Sequence, residues 1–213
     1  MSYSKYYIYK EKISFDGGVT WQDTGQATPS GNPIGIYETL GECEGVVPPT
    51  PTNKKLVAYY SDGKTLEVEC NSSGTLTSGE TQPSGYQASA MTNAVIGNCV
   101  TRLGYKAFSG CTSLTSVTIP NSVTSIGYGA FEYCRSLTSV TIPNSVTYID
   151  NNVFYNCTGL TGVTILATTP PTLGINVFYN TSNCPLLVPA SSVNTYKSAS
   201  GWSEYASRIQ AIP

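Results

Sequence analysis

Gly127-Tyr128-Gly129-Ala130-Phe131-Glu132-Tyr133-Cys134-Arg135-Ser136-Leu137-Thr138-Ser139-Val140-Thr141-Ile142-Pro143 restates, 23 residues later, the stretch Gly104-Tyr105-Lys106-Ala107-Phe108-Ser109-Gly110-Cys111-Thr112-Ser113-Leu114-Thr115-Ser116-Val117-Thr118-Ile119-Pro120. The apolar positions match, and so do most of the small polar ones. Self-similarity at a fixed period of about 20–50 residues is the signature of a solenoid. Moving Leu114, Val117, Ile119, Val123 and Ile126 back one period gives Met91, Ala94, Ile96, Val100 and Leu103, so residues 91–105 form a worn first copy. Later copies centre on Phe108, Phe131 and Phe154, and a last one carries Phe178, shifted by an insertion within residues 166–173. Val188-Pro189 lies three periods beyond Ile119-Pro120, so register is then restored.

Each copy resolves into parts. Val117 and Ile119 alternate with Ser116 and Thr118, the period of a strand with its apolar residues inward. Pro120-Asn121 ends it, and Val123 and Ile126 point inward from the returning side. The steps of three from Phe108 to Cys111 to Leu114, repeated as Phe131, Cys134, Leu137 and as Phe154, Cys157, Leu160, suit a short helical or 3-10 turn. At roughly 1.5–3 kcal/mol per buried apolar side chain, offset by chain entropy, one coil does not stand alone, and stacked coils bury one another's faces. The fold expected is mainly β with short helices, a solenoid of stacked 23-residue coils with capped ends.

Outside the repeats, residues 1–47 read as a small β module: a strand over 6–15, a turn at Asp16-Gly17-Gly18 and a return strand Val19-Thr20-Trp21. Residues 48–54 read as a Pro/Thr linker. Residues 55–90 read as an N-terminal cap built on a hairpin of 55–70, with residues 78–89 looped. The repeats run over 91–184. Residues 185–213 read as a C-terminal cap, with Ser191 or Ser192 as a helix N-cap and a second helix from Trp202 to Ile209.

Only 11% of the 213 residues are charged, and the net charge is −2. No Lys/Arg stripe exists to track phosphates, which argues against nucleic-acid binding. No run is long enough to span a membrane, and residues 1–7 show no apolar stretch of an export signal. Cys111, Cys134 and Cys157 share one position in successive coils, so they are expected as reduced core residues. Cys43, Cys70, Cys99 and Cys184 fall at unrelated positions, with a Cys43–Cys70 bridge open. The chain has no histidine, which excludes Ser-His-Asp, Cys-His and HExxH chemistry. No zinc site, metal or cofactor is expected. Glu42/Glu44 and Glu67/Glu69 are paired carboxylates, but the second pair belongs to an exposed hairpin and reads as a solvated strand face rather than a glycosidase pair.

The repeat resembles the BspA-like, or Treponema-type, leucine-rich repeats of bacterial surface proteins. Their pattern is met by Ala107, Phe108, Cys111, Leu114, Val117, Ile119, Pro120, Val123, Ile126 and Gly127, and nearly in full by the next copy. Asp150 replaces the final Gly there, and Val153 and Leu166 replace the Ala and Pro of the third copy. The C-terminal Val-Pro…Tyr-Lys…Gly-Trp…Ile segment, including Trp202, is similar to the end cap of such proteins. The resemblance implies a short, curved leucine-rich-repeat solenoid with a parallel β-sheet on one face, with surface roles in adhesion and host interaction, and no catalysis. Separately, Ser14-Phe15-Asp16-Gly17-Gly18-Val19-Thr20-Trp21 resembles the Asp-box of sialidase-type propellers, a structural hairpin in which Asp16 bonds the turn and Trp21 packs beneath.

The expected function is a non-enzymatic extracellular or cell-surface interaction module of a bacterium, binding a protein or glycan. The alternatives are a structural or receptor-binding protein of a phage particle, and an accessory module of a glycan-active enzyme. The expected binding surface is the outward strand face, with Ser116, Ser139 and Gly162 in one row and Thr118, Thr141 and Thr164 in the next. Tyr128, Tyr133, Tyr148 and Tyr155 are the alternative contacts at the coil edges or convex side.

Overall fold

The computed structural model describes residues 53–213 and, nearer the N-terminus, the backbone of three short strands. Contacts divide the chain into two units, Met1–Pro49 and Thr50–Pro213. In the first, β1 (Tyr7–Tyr9), β2 (Lys12–Ser14) and β3 (Gln22–Asp23) form an antiparallel sheet in that order. The single strand expected over 6–15 is instead two, with Tyr9 opposite Lys12. The charged run Lys10-Glu11-Lys12 interrupts the apolar segment there. The Asp-box residues Asp16 and Trp21, the return strand 19–21, Cys43, Glu42/Glu44 and the linker up to residue 52 lie outside the described residues.

The second unit opens with β4 (Lys54–Tyr60), β5 (Thr65–Glu69), β6 (Thr75–Leu76) and one helical turn, α1 (Ser78–Thr81). Each coil then supplies a longer and a shorter strand. These are β7 (Met91–Ile96) and β8 (Arg102–Leu103), β9 (Ser116–Thr118) and β10 (Ser125–Ile126), β11 (Ser139–Ile142) and β12 (Tyr148–Ile149), and β13 (Gly162–Ile165) and β14 (Thr172–Leu173). The chain closes with β15 (Leu186–Val188), α2 (Val193–Ser198), a 3-10 turn (Trp202–Tyr205) and β16 (Ile209–Ala211).

Three faces run the length of the stack. The longer strands form the first, as β5-β4-β7-β9 and β11-β13-β15-β16, parallel except for the antiparallel β4–β5 hairpin and its pairing with β7. The two sheets meet between β9 and β11, where Thr138 N–H still donates to Thr115 O at 3.4 Å. The shorter strands form a second, wholly parallel sheet, β14-β12-β10-β8-β6. On the third face, the N–H groups of Lys106, Phe108 and Gly110 donate to the carbonyls of Tyr128, Ala130 and Glu132, and the next coil repeats the pattern. Successive coils are thus zipped by backbone hydrogen bonds on all three sides, which answers the requirement that buried backbone groups be paired.

That third face is a chain of i→i−3 turns rather than a helix. Two left-handed residues per coil keep it so: Lys106, Gly129, Asn152 and Asn176 in one row, and Gly110, Tyr133, Asn156 and Asn180 in the other, all with φ between 51 and 75°. Gly and Asn suit that region, whereas Lys106 and Tyr133 occupy it against their side-chain sterics.

Side-chain ladders fill the interior. Phe108, Phe131, Phe154 and Phe178 stack 5.2, 5.4 and 5.7 Å apart with nearly parallel rings, and Trp202 closes the pile 6.0 Å beyond. Cys111, Cys134 and Cys157 are buried free thiols. The Cys134 and Cys157 thiols donate to Phe108 O and Phe131 O. Burial pushes the Cys111 thiol up to about 12. Cys184 is part of the same scheme, contrary to its apparent irregularity. It is buried six residues after Phe178, at the place of Leu114, Leu137 and Leu160, while Thr181 takes the Cys position and bonds Phe178 O.

The caps differ from the sequence reading in four places. Cys70 pairs with Cys99, not Cys43, their Cα atoms 6.1 Å apart; β5 and the loop after β7 bring these two together. Residues 78–89 are not all loop. Thr77 and Glu80 form a capping box that starts α1, and a 3-10 turn spans Ala88–Ala90. Ser192 stands before α2, but its side chain makes no capping bond. Ile209 is a strand residue, because β16 extends the sheet beside β15, pairing Leu186 with Ile209.

Candidate functional site

The outward rows of the long-strand face fall where the alternation places them. Asn93 lies beside Ser116, Ser139 beside Gly162, Val95 beside Thr118, and Thr141 beside Thr164. The seam between β9 and β11 separates Ser116 and Thr118 from Ser139, Thr141 and Thr164. Ser116 Oγ donates to Asn93 Oδ1 at 2.7 Å. Among the described residues, no hydrogen bond occupies the hydroxyls of Thr118, Ser139, Thr141 or Thr164.

Other hydroxyls of the coils are committed to structure. Thr115, Thr138 and Thr161 each back-bond the threonine carbonyl of the preceding coil. Thr124 and Thr147 do the same on the short-strand face, and Ser122 and Ser145 bond Val100 O and Val123 O. These ladders explain a surface rich in Ser and Thr yet poor in charge. They also separate the structural hydroxyls from the unoccupied ones on β9, β11 and β13.

A second polar cluster lies on the short-strand sheet. Arg102, Ser125 and Tyr148 are register partners there, and Arg102 Nε donates to Ser125 Oγ at 3.1 Å. Tyr105 and Tyr128 follow from the turn face with rings stacked 5.4 Å apart. Asn152 Nδ2 donates to Tyr128 Oη at 3.0 Å. Lys106 Nζ lies 5.7 and 6.0 Å from the two ring centres and 3.1 Å from the buried Glu132 Oε2. The neighbouring Asp150 carboxylate, with some burial, raises the pKa of the Tyr148 phenol. Of these residues, the sequence reading reached Tyr128 and Tyr148 as contacts, and Asp150 only as a departure from the repeat. Arg102 was within reach, since it lies one period before Ser125. A third set, Tyr133, Tyr155 and Tyr179, runs along the turn face, with Tyr155 and Tyr179 stacked at 5.1 Å.

Lys54 bridges both Glu67 and Glu69, so the two carboxylates share one ammonium on an exposed strand face. Among the described residues, no group of three or more His, Cys, Asp or Glu side chains could hold a metal ion. No described helix is long and apolar enough to cross a membrane.

Coils of this length, parallel sheets and the Phe and Cys ladders define a short leucine-rich-repeat solenoid. Residues 81–200 match the BspA type Leucine rich repeat region in six copies. That is more than half of the chain, which belongs to this family. It is similar to a T. pallidum leucine-rich repeat protein at 25% identity, covering 44% of this chain and 42% of that one, with a TM-score of 0.37. A leucine-rich repeat protein from Bacteroides ovatus is 27% identical over 60% of this chain and 32% of its own length, with a TM-score of 0.45. A leucine rich cell surface protein from Faecalibacterium prausnitzii is 18% identical over 67% and 55%, with a TM-score of 0.31. The chain thus spans less than half the length of the first two. No curated protein sequence matches it.

Proposed function

We propose that this chain is a non-enzymatic interaction module that works outside a bacterial cell or on its surface and binds a protein partner through the long-strand face. The observation that carries the reading is the division of hydroxyls. Those of Thr118, Ser139, Thr141 and Thr164 point outward without a described partner, while equivalent ladders elsewhere are spent on holding coils together. An uncharged, hydroxyl-bearing surface of this kind meets a partner through many weak hydrogen bonds, with specificity set by their pattern. The Cys70–Cys99 disulfide supports the location, since disulfides form and persist in oxidising compartments. The BspA-type family supports it too, its members being surface proteins in the main.

The test is a binding array of matrix proteins, bacterial surface proteins and glycans, read by biolayer interferometry. Changing Ser116, Thr118, Ser139 and Thr141 together to Lys should weaken binding to the partner at least tenfold without unfolding the chain. Undiminished binding by that variant removes the long-strand face from the interaction.

A further inference from the structure

A cavity of about 280 Å³ opens where the short-strand sheet meets the turn face. Arg102, Tyr105, Ser125, Tyr128, Tyr148 and Asp150 line it, and Gly104 and Gly127 contribute bare backbone. Its size lies just under the range usual for drug-sized ligands, roughly 300–1,000 Å³, and suits a smaller molecule. We propose that this cavity binds a single neutral sugar ring, as a free sugar or the end of a glycan chain.

Three observations lead there. The repeat's own packing rule is broken at this point. A Cβ on Gly127 would sit 2.8 Å from Leu103 O, and one on Gly104 would sit 2.8 Å from Leu76 O, so the position calls for glycine. Asp150 holds that position in the next coil and still makes the same backbone bond, from its N–H to Ile126 O at 2.9 Å. The chain therefore carries a carboxylate where its own repeat excludes a side chain. That carboxylate lines the cavity, with Oδ1 accepting from Asn151 N–H at 2.7 Å.

The second observation is a largely exposed aromatic surface. Tyr105 is 64% exposed although stacked on Tyr128, and Tyr148 is 40% exposed. The negative face of a tyrosine ring attracts the polarised C–H groups on one side of a pyranose. An exposed ring in a polar cavity is suited to that contact rather than to an apolar core.

The third is charge. Arg102 and Asp150 are the two charged lining groups, and they cancel. A carboxylate accepts from two adjacent hydroxyls, and a guanidinium donates to hydroxyl or ring oxygens. Arg102 uses Nε on Ser125, leaving its terminal nitrogens free of described hydrogen bonds. A neutral polyol satisfies both groups, whereas an anionic ligand leaves Asp150 facing like charge.

Saturation-transfer NMR on the full chain tests this, using methyl glycosides of neutral hexoses and N-acetylhexosamines, with glucuronic acid as the charged comparison. At least one neutral glycoside should bind with a Kd of about a millimolar or tighter, and its ring protons should receive the strongest saturation. Tyr105→Ala, at an exposed site, and Asp150→Gly, which restores the repeat residue, should each weaken it tenfold or more with unchanged thermal melting. The four-lysine variant of the long-strand face should keep the sugar signal, which separates this site from the protein-binding surface. A glycan array then distinguishes free sugar from chain ends. The proposal falls if no neutral glycoside binds, if both variants keep full binding, or if glucuronic acid binds more tightly.

Discussion

The middle of the stack and its two ends solve the same problem by opposite means. Between residues 91 and 184 the interior is mainly apolar and repetitive, and the coils centred on Phe108, Phe131 and Phe154 present one another with the same Phe, Cys, Leu and Val contacts. At the ends that partner is missing, and single-use polar contacts close the fold. Lys55, 1% exposed, reaches Glu80 and Thr75 O, both at 2.8 Å. Tyr60 Oη donates to Thr81 O, and the Thr81 hydroxyl donates to Ala107 O. At the other end, Trp202 Nε1 donates to Pro171 O at 2.7 Å, and Tyr196 Oη to Ala167 O at 2.8 Å. Arg208 spreads its donors over Cys184 O, Phe178 O and the Thr181 hydroxyl. Repetition works where both faces of a coil are covered, and an end coil needs directional bonds because buried polar groups must be matched one by one.

The contrast can be broken most severely in the middle. Phe131→Ala removes a ring stacked on both sides and should cost about 3–5 kcal/mol in chemical denaturation. If the cost is under ~1 kcal/mol, the ring ladder does not organise the core. At the N-terminal end, Glu80→Gln leaves the Lys55 ammonium buried without its counter-charge and should cost about 3 kcal/mol. The double change with Lys55→Met should recover most of that loss. Equal losses from the single and double variants would mean that the pair acts through packing alone. Cys70→Ser opens a loop of 29 residues and should cost about 2–4 kcal/mol. Cys134→Ser, in the middle, should keep the full complement of disulfides by mass spectrometry.

Acid sharpens the difference further. Burial opposes ionisation of Glu80, but Lys55 and the Thr77 capping bonds outweigh it and lower its pKa below 4.5. A carboxyl lowered on folding stabilises the folded state above its unfolded value and loses that contribution as pH falls through the folded one. The N-terminal cap should therefore loosen as the pH falls below the ordinary range of a glutamate carboxyl. Amide exchange in β4 and β6 should rise before that in β11 and β13. Uniform exchange across the stack would contradict this. The smallest effect is expected at Tyr133→Asn, which places in the left-handed position the residue found at Asn156 and Asn180. It should stabilise by about 0.5 kcal/mol.

What could be read from the sequence follows the same division. The coils were legible because inward residues recur: a single subtraction of 23 from Val117 reaches Ala94, and the two are register partners. The caps were not, because Lys55–Glu80 and Cys70–Cys99 each occur once and join segments more than 20 residues apart without a period to point to them. Ile209 was read as helical from its spacing to Trp202 and Tyr205, but the open edge of β15 supplies backbone partners that local spacing does not reveal. The outward hydroxyl rows were legible as positions. Their division into bonded and unbonded sets depends on which carbonyl of the preceding coil each side chain reaches. Asp150 was visible as a departure from the repeat, but its convergence with Arg102 and Tyr105 requires the turn that folds one face toward the next.

The Phe ladder also has a bearing on how such a chain changes length. Its rings are spaced 5.2 and 5.4 Å apart in the two most regular steps, and Phe131 and Phe154 each have a phenylalanine ring on both sides. A duplicated gene segment of 23 codons from the middle of the stack would meet core neighbours like those it was copied from, and both ends would stay sealed. The molecule would simply grow by one rung. Its height is a counted quantity, set by copy number, and its closing pieces are indifferent to the count.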